Sequence, residues 1–275
     1  MVNAEKIYNQ TIKELTPLLI ALDYEKISKH SRGYSNYKKD PVYFFCHAEK
    51  KRFLLTFNFL LKHGLNDKSC YLDLGTFIPV IPLMIKETGA GVEVVDKFSL
   101  YGNTLKPIVD LLKRKKIIVY DLDIINDDIS NKFPNDYYDF ISCEAVIEHL
   151  HGSPVNLLTA AKKLLKPRGK IVVAVPNAAS LAHRANLLLR GVPPFPPIEG
   201  YLASDYPFIG HNREYNLREF KYLLNDAVGF KEMETKALNP LNWTDKNLKW
   251  KSKIIYLISL FKKEFMEMLW YAGEK

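Results

Sequence analysis

The segment Ser69 to Phe98 constrains this chain more than any other. Its sequence, SCYLDLGTFIPVIPLMIKETGAGVEVVDKF, reads as strand, tight turn, helix, strand. Tyr71-Leu72-Asp73-Leu74 is an apolar run interrupted by one carboxylate, and Gly75 follows at once. The helical stretch is Ile81 to Glu87. Gly89 and Gly91 end it, and Val92 to Val95 reads as a second buried strand closed by Asp96. Two apolar strands joined through a helix predict a β-α-β unit whose first turn can hold a ligand.

The chemistry of that turn limits the ligand. A strand-to-helix turn offers unpaired backbone N–H groups and the positive end of a helix dipole, which suit an anion. A carboxylate ending the next strand can accept both hydroxyls of a ribose. Asp96 lies 23 positions after Asp73, in the range for that role. A dinucleotide turn would place further glycines after Gly75 so that a pyrophosphate could approach the backbone. Thr76, Phe77, Ile78 and Pro79 stand there instead. The turn therefore disfavours a pyrophosphate and leaves room for a smaller adenosine-type ligand with a single carboxylate.

Further apolar runs follow in order. Ile117 to Tyr120 reads as a third strand, followed by Asp121-Leu122-Asp123. Tyr138 to Cys143 reads as a fourth, with Glu144 to Leu150 expected to continue as a helix. Pro154 to Leu165 is an amphipathic helix ended by Lys166-Pro167-Arg168-Gly169. Lys170 to Val175 is a fifth strand running into Pro176-Asn177. Helices are expected over Leu181 to Arg190 and Leu217 to Asp226, and Gly229-Phe230 opens a sixth strand.

Taken in order and spacing, Asp73-Leu74-Gly75, Asp96, FPNDYYDFISCEAVIEHL and VVAVPN resemble class I S-adenosylmethionine-dependent methyltransferases over roughly residues 69–230. GHNREY, residues 210–215, resembles a segment of the sugar-modifying branch. The resemblance implies an α/β, Rossmann-like fold: a mostly parallel sheet with helices on both faces. It implies S-adenosylmethionine as cofactor, with Asp73, Gly75, Thr76, Asp96, Asp121, Leu122, Cys143 and Glu144 as the residues around it. The main departure is Phe77 and Pro79 at the second and third glycine positions of the turn.

Methyl transfer to a hydroxyl gains from a general base, and histidine is the usual one near neutral pH. His149, His151 and His211 are the candidates, with Tyr37 and Arg213 as substrate contacts. Tyr215 reads as core. Some relatives place Glu-x-x-Glu-His around a metal. Here the first of those positions is Ala145, so no metal is expected, and Glu148 reads as a carboxylate that anchors its helix.

The organisation expected is an N-terminal helical cap over residues 1–63, a cofactor-binding domain over 64–240 with a substrate insert at about 178–227, and an amphipathic helix within 241–275. The cap consists of helices over Ala4 to Leu22 and Ala48 to His63. The last helix carries an apolar stripe from Trp250 to Leu269 flanked by lysines. It either packs on the body or on a second copy, giving a homodimer, or lies at a membrane surface; most such stripes are core.

The net charge of +8 is concentrated at the two ends of the chain. No RNA-binding module or aromatic-basic stripe accompanies it, so no nucleic-acid partner is expected. Three scattered cysteines and the lack of an apolar leader at the N-terminus point to a cytoplasmic protein, with peripheral membrane contact as the alternative. The function these features support is methylation of a hydroxyl on a small molecule, a sugar or glycoconjugate first. A non-catalytic scaffold is the alternative, and a nucleic-acid methyltransferase ranks last.

Overall fold

A computed structural model describes residues 2–30, 39–124, 129–193, 198–240 and 250–275. Seven strands form one sheet in the order β3-β2-β1-β4-β5-β7-β6. Their ranges are β1 Cys70–Leu74, β2 Gly91–Asp96, β3 Ile118–Asp121, β4 Tyr138–Glu144, β5 Leu165–Pro176, β6 Lys231–Leu238 and β7 Met268–Glu274. Strands β1 to β5 pair in parallel, and β7 runs antiparallel between β5 and β6. The chain proceeds outward from β1 through β2 to β3, then returns to the other side of β1 at β4. The crevice at the carboxyl ends of β1 and β4 is therefore the topological switch point where such sheets bind ligands.

Both faces of the sheet are covered, so its central strands are predominantly apolar. Along β1, Tyr71 belongs to one core while Leu72 and Leu74 belong to the other. The first core joins the sheet to the N-terminal helices Ala4–Ala21 and Lys50–Lys62 and to the Val80–Lys86 and Lys106–Arg114 helices. The second joins it to the Val155–Leu164 helix and to the Leu217–Lys221 helix, which continues as a wider turn through Ala227. Asn216 caps the Leu217–Lys221 helix in a reciprocal box with Glu219.

The N-terminal helices are built into this architecture. The fully buried Trp270 of β7 donates its indole N–H to Thr56 Oγ1 at 2.9 Å and meets Phe59 edge-on. Asn177, fully buried at the end of β5, ties down the approach to β7. Its side-chain amide donates to the carbonyls of Glu264 and Met266, and its backbone N–H donates to Glu267 O.

Three elements differ from the sequence expectation. The expected helix over Glu144–Leu150 is only a single tight turn at Ile147–His149, because Glu144 still belongs to β4 and Ala145 adopts φ +56°. The Lys166–Gly169 turn is a bulge inside β5, where pairing jumps from Tyr138↔Leu165 to Phe140↔Lys170. Among the described residues the C-terminal helix covers Trp250–Ser259, and Met268–Glu274 is a strand inserted between β5 and β6. Met268 to Ala272 is a continuous buried run, and such a run fits a buried strand as well as a helix stripe. Residues 268–274 thus belong to the sheet itself. Among the described residues no helix is long and apolar enough to cross a membrane.

Candidate active site

The turn after β1 is held by its neighbours. Gly75 adopts φ +77°, and its N–H, with that of Thr76, donates to Val95 O. A Cβ at Gly75 would lie 2.5 Å from Val146 Cγ2, so the loop after β4 lies directly against this turn. Only glycine meets both demands at once, the left-handed backbone and the close approach.

Asp73 faces inward. It accepts hydrogen bonds from Tyr71 Oη at 3.2 Å, from Thr76 Oγ1 at 2.8 Å and from Ser142 Oγ. Burial pushes its carboxyl upward and these hydroxyls oppose that shift. Asp73 and Thr76 therefore brace the turn from beneath.

Asp96 ends β2 beside the turn. Its Oδ2 accepts the Phe77 N–H and its Oδ1 the Lys97 N–H, both at 2.7 Å. Burial pushes its pKa up to about 6, against the pull of those two N–H groups. A carboxylate has about four lone-pair positions, so two remain for a ligand's hydroxyls. Phe77 reaches this geometry at φ +30°, strained for a residue with a side chain. Its ring packs edge-on against Phe45 of the N-terminal region and tilts onto Tyr101, with centroids at 5.6 and 5.2 Å. The apolar cluster holds in place a backbone that glycine would adopt freely.

Asp121 lies at the end of β3 and accepts from the backbone N–H and the hydroxyl of Ser99. Leu122 donates its N–H to Asp96 O and packs on the second core. Cys143 is fully buried, and burial raises its thiol pKa well above the ordinary range. Glu144 is bound by Arg52 of the N-terminal helix, Nη1 to Oε2 at 2.6 Å, while Arg52 Nε also reaches Glu49 at 2.9 Å. Arg52 and Glu144 are both nearly excluded from water. This pair clamps the helical cap onto the carboxyl end of β4.

Beyond β4 the structure gathers Glu148, His149 and His211. One ligand atom from each lies within 4.8 Å of the others. Glu148 is fully buried, and neither of its oxygens has a hydrogen-bond partner among the described residues. Burial pushes its pKa to about 7, with the neighbouring His211 acting in the opposite direction. The anchoring role expected for this carboxylate is therefore not observed. His149 Nδ1 donates to Ile209 O at 2.8 Å, and burial lowers its pKa to about 4, so the ring is neutral at pH 7. His211 holds Glu214 Oε1 at 2.6 Å through Nδ1; burial lowers its pKa, but the carboxylates of Glu214 and Glu148 outweigh that and raise it. His183 lies 3.5 Å from the other oxygen of Glu214.

Two imidazoles and a carboxylate are also a donor set for a divalent cation. The expectation of no metal rested on Ala145 at the first ligand position of that pattern, and His211 supplies a third group from a distant loop.

The remaining candidates are placed as follows. His151 is not in the cluster and bonds Phe208 O. Arg213 is exposed, pairs with Glu219 at 3.1 Å and lies over the Tyr215 ring; Tyr215 is core. Tyr37 lies outside the described residues. Arg52, Phe45, Tyr101, His183 and Glu214 were not singled out by sequence. Glu214 alone carried a signal, as part of the quoted GHNREY phrase.

A family model described as a methyltransferase domain matches residues 47–234. The chain belongs to that family. Solved structures share its fold at low identity. One is the 1,6-didemethyltoxoflavin-N1-methyltransferase of Burkholderia thailandensis, determined with 1,6-didemethyltoxoflavin and S-adenosylhomocysteine. It is 15% identical with a TM-score of 0.54, covering 96% of this chain and 89% of that one. The magnesium protoporphyrin IX methyltransferase of Synechocystis PCC 6803, with S-adenosylhomocysteine, is 12% identical with a TM-score of 0.56, covering 92% and 100%. An S-adenosylmethionine-dependent methyltransferase of Archaeoglobus fulgidus is 20% identical with a TM-score of 0.52, covering 85% and 100%. No curated protein matches the chain. The fold is that of the S-adenosylmethionine-dependent class I methyltransferases, and the Gly75 turn and Asp96 occupy its switch point.

Proposed function

We propose that this methyltransferase-family protein moves the methyl group of S-adenosylmethionine onto a hydroxyl of a small molecule, with a sugar or glycoconjugate as the acceptor class. The observation that carries the reading is the His211–Glu214 pair beside the buried Glu148, on the loop that lies against the cofactor turn. The cofactor's sulfonium is already a good leaving group. The protein must bind it, align the acceptor for in-line attack and take up the hydroxyl proton. Asp96 would accept the ribose hydroxyls; the N–H groups of Gly75, Thr76 and Phe77 are already taken by Val95 O and Asp96.

Among the three histidines His211 is the base. Glu214 orients its ring through Nδ1 and stabilises the imidazolium that forms when Nε2 takes the proton. His149 stacks edge-on against His211, with centroids 4.8 Å apart, and shapes the pocket as a neutral ring. The sugar preference rests on the GHNREY resemblance, from which His211 and Glu214 both come.

The test is transfer of labelled methyl groups from S-adenosylmethionine to pools of hydroxylated small molecules and glycoconjugates. Wild-type protein should label an acceptor, and His211→Ala should lower turnover by on the order of 10²–10⁴ with cofactor binding intact. Unchanged turnover in His211→Ala would remove the base assignment.

The converging donors favour a second form of the same chemistry, in which Glu148, His149 and His211 would hold a divalent cation that would supply Lewis-acid activation. Metal analysis of the purified protein beside Glu148→Ala separates the two. The non-catalytic scaffold is the rival reading, and it predicts no cofactor binding at all.

A further inference from the structure

Two segments hold most of the large apolar side chains that the described residues leave in solvent. In the first, the Leu181–Arg190 helix buries no residue, and Leu188 and Leu189 are 84% and 83% exposed; Leu202 and Tyr206 follow, at 73% and 93%. In the second, the Trp250–Ser259 helix and the turn after it carry apolar residues at positions 250, 254, 257, 258 and 261. That spacing makes one helical face. The sequence assigned it to packing, yet every one of these residues is exposed, with Phe261 at 85%.

The two helices pack on each other, and Arg184 of the first lies over the ring of Phe265 beyond the second. Both stand at the end of the sheet that carries the site. The first helix follows the end of β5, and the second leads into Met268, which pairs with Pro176. His183 of the first helix reaches Glu214, the partner of His211.

A soluble monomer rarely leaves so much large apolar surface in water without a use for it. The charges beside it decide its partner. Arg184, Arg190, Lys253, Lys262 and Lys263 accompany these two helices against the carboxylates Glu264 and Glu267; Glu199 and Asp205 lie on the intervening segment. Apolar leucines and phenylalanine, amphipathic Trp250 and Tyr206 and a cationic surround are the composition of a face that lies in a lipid headgroup layer. Neither helix is long enough to cross a bilayer, so insertion would be shallow.

We propose that this face docks the protein on an anionic lipid surface. If the methyl-transfer reading holds, on which this consequence rests, the acceptor is then a molecule presented at that surface.

The test is flotation of the full chain with vesicles of phosphatidylglycerol and phosphatidylcholine, and with phosphatidylcholine alone. The wild type, Leu188→Asp/Leu189→Asp and Phe261→Asp are compared, with thermal melting as a control for folding. The inference predicts wild-type flotation with the anionic vesicles, weakened by salt and by removal of phosphatidylglycerol. It predicts a drop of tenfold or more in partitioning for both variants at unchanged melting temperature. Equal partitioning of wild type and variants, or no flotation of the wild type, would overturn it. In the latter case a dimer in light scattering that the variants dissociate would assign the face to a second copy. S-adenosylhomocysteine titration of the same samples reads the cofactor site separately, so failure of docking and failure of the methyltransferase reading are distinct results.

Discussion

Replacing Arg52 with methionine should unfold the protein at markedly lower denaturant and temperature. The guanidinium is nearly excluded from water and binds Glu144, itself nearly buried, at 2.6 Å. Methionine fills the same space but leaves the Glu144 carboxylate without its counter-charge. Breaking a buried pair from one side costs roughly 3–5 kcal/mol. The lost contact to Glu49 adds little, because that carboxylate is partly solvated. For a chain of this size the melting temperature should fall by roughly 5–9 °C.

The cost should also depend on pH. Burial already raises the Glu144 carboxyl, and Arg52 opposes the shift. Without Arg52 the folded-state pKa rises further above the unfolded one. The penalty is then full above the folded pKa and fades as pH falls toward the unfolded value. The double variant Arg52→Met/Glu144→Gln should recover about 2–4 kcal/mol of the loss, since the unpaired charge is gone. Denaturant melts of the four proteins at pH 7 and pH 5 supply the comparison. A loss below about 1 kcal/mol, or a double variant that is merely additive, would refute the view that this pair clamps the cap onto β4.

Gly75→Ala combines a strained φ with a Cβ only 2.5 Å from Val146. It should cost about 2–4 kcal/mol in denaturant melts and weaken S-adenosylhomocysteine binding; Val146→Ala should restore part of the stability. Asn177→Ala leaves the carbonyls of Glu264 and Met266 without their donor, for a loss of about 2–4 kcal/mol by the same melts. Protonation of Asp96, whose pKa is about 6, removes an acceptor for ribose hydroxyls. Affinity for S-adenosylhomocysteine should therefore be flat above pH 7 and weaken below pH 6, by up to about tenfold per unit. Calorimetry from pH 5 to 8 measures this, and Asp96→Asn should abolish the slope.

The β-α-β unit was legible because its apolar runs are short, buried on both faces and punctuated by glycines at the turns. Asp96 was legible because its role is set by spacing along the chain. Residue roles that depend on contact were not. Asp73 and Glu144 read as cofactor ligands, but one is consumed by Tyr71, Thr76 and Ser142 and the other by Arg52. Only the third dimension brings position 52 to position 144, or His211 to Glu148. The β7 strand was missed because Met268 to Ala272 is apolar without a break. A run that short carries no period to tell strand from helix. Phe77 looked like a defect in the turn, and its ring contacts with Phe45 and Tyr101 show how a bulky residue is kept in a backbone suited to glycine.

The account turns on whether the Gly75–Asp96 crevice binds the methyl donor despite Phe77. Calorimetric titration of the wild type and Asp96→Ala with S-adenosylmethionine and S-adenosylhomocysteine asks this directly. The account predicts saturable binding of both by the wild type, weakened at least tenfold in an Asp96→Ala protein that still unfolds cooperatively. A folded wild type that binds neither, or an Asp96→Ala protein that binds as well as the wild type, would contradict it.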